Sequence, residues 1–93
     1  MGSQVIGKIK VVEETKEYGS NGFKKRGLVV ETEEQYPQLI YIEFVKDKES
    51  LLDMFSEGER VKVDVNLRGR EWVNPDGESK YFNSIEGWKI ENA

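Results

Sequence analysis

Residues 39–65 read LIYIEFVKDKESLLDMFSEGERVKVDV, and a change of period inside this stretch decides the fold. At its start Ile40, Ile42 and Phe44 fall on one face of an extended chain, while Leu39, Tyr41 and Glu43 fall on the other. The alternation then stops. Asp47 suits a helix cap, Glu49 suits the positive first turn, and Leu51, Leu52 and Phe55 form an apolar stripe. The spacing predicts a short helix over Lys48 to Phe55, closed by Gly58. Strict alternation resumes from Arg60 to Trp72: Val61, Val63, Val65 and Leu67 point one way, and Lys62, Asp64, Asn66, Arg68, Arg70 and Trp72 the other. The order is strand, short helix, strand.

Outward from this stretch the chain reads as strands and turns. Gln4 to Glu14 is a first strand, with Gly7 marking a bulge or sharp bend, and Tyr18 to Gly22 is a loop by composition. Phe23 to Glu31 is a second strand around Leu28, Val29 and Val30, and Pro37 opens the third. Asn74-Pro75-Asp76-Gly77 is a strong turn signal before a last strand from Ser79 to Ile90. Met1, Gly2 and Ser3 are expected to play no structural role. Five strands with the sole helix between the third and fourth predict an all-β, five-stranded oligonucleotide/oligosaccharide-binding (OB) barrel, a single domain over residues 1–93. An SH3-like barrel usually lacks this helix, and a ubiquitin-like fold needs a longer one after its first hairpin.

Composition narrows the function. The chain has no cysteine and no histidine, which removes disulfides, thiolate metal sites, the usual general base and the commonest metal ligand. No spacing of carboxylates suggests a metal or catalytic site, so a non-enzyme without cofactor is expected. No apolar run approaches the roughly 20 residues of a membrane span, and a cytoplasmic location is expected. A net charge of −4 argues against a generic polybasic binder, but the charges are segregated. Lys24, Lys25 and Arg26 stand together without an acid, and Arg68 and Arg70 recur near the end of the fourth strand.

Arg68, Arg70 and Trp72 lie at i, i+2 and i+4 and project from one side of that strand. Guanidinium forks match phosphate oxygens, and an exposed indole gives a base a flat stacking platform. Lys80 and Tyr81 follow across the turn, and Lys24, Lys25, Arg26 and Tyr41 lie on the neighbouring second and third strands. These nine residues are the expected site for single-stranded DNA or RNA. The arginines and lysines would contact phosphates, and Trp72, Tyr81 and Tyr41 would stack on bases. The alternative is a protein-interaction domain whose Tyr41, Trp72 and strand edges meet a partner. On a purely structural reading, the arginines are solvated strand residues and Trp72 caps the barrel's open end.

From Phe44 to Tyr81 the chain resembles the DNA-binding domain of bacterial single-stranded DNA-binding protein. The shared features are Phe44, the helix, Gly58, Val61-x-Val63, Leu67-Arg68-x-Arg70-x-Trp72, Gly77 and Tyr81. The resemblance implies base stacking at the positions of Trp72 and Phe44, phosphate contacts by the arginines, and a homo-oligomer. Two residues depart from it. Gln38 stands where that family tends to place a stacking tryptophan, and Phe44 shares parity with Ile40 and Ile42, which makes it a core residue. Val30 to Pro37 also resembles a family of short uncharacterised bacterial proteins of the OB fold.

Overall fold

The computed structural model describes residues 2–18 and 22–93; positions 19–21 of the expected loop lie outside the described residues. Among the described residues six strands form: β1 (Gly2–Val12), β2 (Lys16–Tyr18), β3 (Phe23–Thr32), β4 (Leu39–Val45), β5 (Arg60–Val73) and β6 (Ser79–Asn92). Five of them close a ring. β5 pairs with β1 and β6, β6 meets β4 in parallel at Glu43 and Glu86, β4 pairs with β3, and β3 returns to β1. This is the OB barrel expected from the sequence. The short β2, which the sequence reading missed, extends the sheet beside β3.

Closure depends on β1 serving two neighbours. Its first half pairs with β5 and its second half with β3, and Gly7 sits where the two ladders overlap. A Cβ at Gly7 would collide with the Glu31 carbonyl, so the bend needs glycine for the close approach of backbones. A register shift between Ile9 and Val11 adds a bulge just beyond it. Gly2 and Ser3 belong to this strand, paired with Asn66 and Val65, which corrects the expectation that they have no structural part.

The core comprises Ile9, Leu28, Val30, Ile42, Phe44, Val61, Val63 and Val65, with Leu52 beneath. Ile42, Phe44, Val61, Val63 and Val65 are residues that alternation selects, and Ile40 of the same face packs at the margin. Phe44 is fully buried and its ring fills the space beside Gly87, so it packs the core as its parity requires. The helix is a 3-10 segment over Glu49–Met54, shorter than expected. Lys48 stands at its N-cap without a side-chain cap bond, and Asp47 instead takes a left-handed turn conformation with φ 72°. Leu52 alone of the expected stripe is fully buried. Leu51 is exposed and Phe55 packs at the margin, because a short 3-10 segment presents a narrower face than an α-helix.

Leu67 is a second correction. It keeps the parity of Val65 but is 75% exposed, because β5 and β6 outrun the barrel. Their pairing continues to Val73 and Ser79, so the last part of the hairpin is a two-stranded ribbon beyond the core. The ribbon begins above a bulge in β6, where Asp64 pairs with Lys89, Val65 with Gly87, and Trp88 is left between them.

Candidate nucleic-acid interface

The β5–β6 ribbon determines which side chains meet. Residues directly opposite in an antiparallel pair share a face. Arg68 lies opposite Ser84, Arg70 opposite Phe82, and Trp72 opposite Lys80. One face of the ribbon therefore carries three cations and two aromatic rings. Trp72 is 48% and Phe82 47% exposed, and the Arg70 guanidinium lies 5.8 Å from the centre of the Phe82 ring. That distance is within the range of a cation–π contact, which holds the guanidinium over the ring with its N–H groups available. Arg70, Glu71, Trp72 and Phe82 together line a shallow cleft at the ribbon's outer end.

The turn that fixes this register is built by Asn74. Its side-chain Oδ1 accepts bonds from the backbone N–H groups of Asp76 (3.0 Å) and Glu78 (2.8 Å), and its carbonyl accepts from Gly77 (2.9 Å). Gly77 takes φ 84°, which disfavours a side chain there.

At its base the ribbon face joins the barrel wall in a groove of about 420 Å³. Phe23 and Lys25 of β3, Glu43 of β4, Arg68 and Arg70 of β5, and Phe82 of β6 line it. The volume falls within the roughly 300–1,000 Å³ typical of small-ligand sites. Lys25 pairs with Glu43, and Arg68 lies 3.7 Å from Glu86. A second groove of about 380 Å³ continues along the wall past Leu39, Tyr41, Leu67 and Ile85, and shares Glu43, Asn83 and Ser84 with the first. Glu43 stands at the junction.

The structure does not gather all nine expected residues. Arg68, Arg70, Trp72, Lys80 and Lys25 share the ribbon face or the first groove. Tyr41 lies in the second groove, its ring across Gly27 and its hydroxyl donating to Glu13 Oε1 at 2.9 Å. Tyr81 pairs opposite Glu71 and so occupies the reverse face of the ribbon, 73% exposed. Lys24 faces a separate cavity with Lys46, Asp47 and Glu49.

Arg26 is turned to a structural task. Its Nε donates to the Glu13 carbonyl at 2.7 Å, and its Nη1 reaches the Glu49 carbonyl at 3.3 Å and Asp53 at 2.6 Å. The guanidinium thereby ties the 3-10 helix to β3 and to the end of β1.

Three residues of the site were missed from the sequence. Phe82 shares parity with Lys80, but only the hairpin register puts that parity, and not Tyr81's, on the Trp72 face. Phe23 and Glu43 needed the packing of β3 and β4 against the ribbon, which no local pattern reports.

A closed barrel of this topology, with one wall grooved and one long hairpin, defines an OB-fold protein. Residues 4–91 match the family described as a domain of unknown function, DUF3127, and the chain belongs to it. No curated protein matches the sequence. The structure is similar to that of the mitochondrial single-stranded DNA binding protein Rim1 of S. cerevisiae, with a TM-score of 0.69 at 15% identity. The alignment covers 99% of this chain and 93% of that one. At this identity the likeness speaks for the fold.

Proposed function

We propose that the protein is a non-catalytic OB module that binds single-stranded nucleic acid along the β5–β6 ribbon and the groove at its base. The observation that carries this reading is the alternation of Arg68, Arg70 and Lys80 with exposed Trp72 and Phe82 on one face. Cations spaced along a strand follow a phosphate backbone, and aromatic rings between them receive bases without regard to sequence. Lys25 and Phe23 extend the same chemistry onto the barrel wall. The likeness to a single-stranded DNA binding protein supports the same use of the fold.

A titration with labelled oligo-dT, followed through tryptophan fluorescence at two salt concentrations, tests the proposal. Binding that weakens as salt rises is the expected result, because phosphate contact releases condensed counterions. No binding at low salt rejects the reading.

A protein-interaction role has its own observation. Val73 and Tyr81 are both exposed on the reverse face of the ribbon, where they would suit an apolar partner surface. We also propose self-association through the first half of β1. Among the described residues, Gly2 to Ile6 have ladder partners on β5 alone, leaving an edge that a second copy can pair with.

A further inference from the structure

We infer that the groove selects guanine through the Lys25–Glu43 pair, an inference that rests on the nucleic-acid reading above. A glutamate is out of place in a groove meant only for phosphates, since it repels them. Yet Glu43 stands where the two grooves meet, with its side chain 18% exposed, so a strand running from Arg70 toward Tyr41 crosses it. Its neighbours are suited to bases. Phe23 and Phe82 present exposed ring surface in the same groove.

The ion pair has a definite pattern of polarity. The Lys25 ammonium only donates, and the two Glu43 oxygens only accept. Side by side they present donor, acceptor, acceptor, which is the order on the pairing edge of cytosine. Its complement is acceptor, donor, donor, the order of guanine O6, N1–H and N2–H₂.

No other common base matches this order. Thymine and uracil offer one donor between two carbonyl oxygens that repel a carboxylate. Cytosine and adenine each set an acceptor nitrogen beside their amino group. A carboxylate can keep its lysine and still accept from a base, because its two oxygens together have about four lone-pair sites. Single-stranded recognition commonly works this way, with a splayed base stacked on an aromatic ring and read along its Watson–Crick edge.

The test compares short oligo-dT strands bearing one central dG, dI, dA or dC with the unsubstituted strand, using wild-type protein and Glu43→Gln. Tighter binding of the dG strand by about five- to tenfold is expected, the low end of what one bidentate base contact supplies. Inosine lacks the N2 amino group and should lose most of the gain, and Glu43→Gln should lose the dG preference. Equal affinity of wild-type protein for all five strands, with salt-dependent binding intact, overturns the selectivity and leaves the nucleic-acid reading standing. Failure to bind any strand removes both. A dG preference that survives in folded Glu43→Gln overturns the assignment to this pair. The wild-type inosine comparison decides against or for the Watson–Crick contact even where Glu43→Gln does not fold.

Discussion

At the scale of single residues, the two faces of the ribbon separate binding from bystander side chains. Trp72→Ala should weaken oligo-dT binding by about 1–3 kcal/mol, the range for a base–aromatic platform, and leave the salt slope nearly unchanged. Arg70→Ala should weaken binding and flatten the slope, since it removes a phosphate contact. Tyr81 pairs opposite Glu71, on the reverse side of the ribbon from Trp72, so Tyr81→Ala should leave affinity within about twofold. A loss for Tyr81→Ala equal to that for Trp72→Ala would move the site to the other face. Inside the barrel, Gly87 makes a comparable single-residue test of packing. A Cβ there would lie 2.5 Å from the Phe44 ring, far inside van der Waals contact, and the ring is fully buried. Gly87→Ala should therefore cost about 1–3 kcal/mol of stability in a denaturant titration, as overpacking does.

At the scale of elements, Arg26 shows how a cation from a basic run can belong to architecture. It joins β3, the 3-10 helix and the end of β1 through two carbonyls and Asp53. Arg26→Met should destabilise the fold by about 1–3 kcal/mol, the cost of leaving two part-buried carbonyl acceptors without their charged donor. The folded fraction should bind oligo-dT with the wild-type salt slope; a flatter slope would return Arg26 to the phosphate contacts. The sequence could not distinguish Arg26 from Lys25, because the difference lies in what packs against β3 from far along the chain. Strand phases were legible where one face is buried, as in Ile42 and Phe44 or Val61, Val63 and Val65, since burial enforces the period of two. The pattern could not report where burial ends. Leu67 continues the alternation of Val65 but stands beyond the barrel, and only the pairing of β5 with β6 reveals the ribbon. Nor could it set the hairpin register, which depends on the Asn74 turn and decides that Phe82, rather than Tyr81, joins Trp72. The edge of β1 belongs to this scale too. Light scattering at ordinary assay concentrations should report a dimer or larger, and Ile6→Pro should dissociate it, because proline removes a ladder donor.

At the scale of the whole molecule, net charge and local charge oppose each other. The protein carries −4 overall, while the ribbon face and groove offer Lys25, Arg68, Arg70 and Lys80. Which of the two an approaching strand senses depends on screening. At 0.1 M salt the Debye length is about 10 Å, so the strand senses the cations of the ribbon and groove with the acids beside them, Glu43, Glu71 and Glu86, and little beyond. The molecule measures 46 × 33 × 22 Å, and at 0.01 M the Debye length of about 30 Å spans most of it. The strand then also experiences repulsion from the acids elsewhere, Glu33, Glu34 and Glu57 among them. Glu43 holds Lys25, so Arg68, Arg70 and Lys80 acting on a single strand give a slope of log affinity against log salt of about −2 at moderate salt, near 0.7 for each phosphate neutralised. Below a few tens of millimolar the plot should bend and flatten as the repulsion grows, whereas a basic protein with the same contacts would keep a straight line. A straight plot down to 0.01 M would show that the acidic surface is not felt by the bound strand. A slope near zero throughout would instead take phosphate contact away from the ribbon altogether.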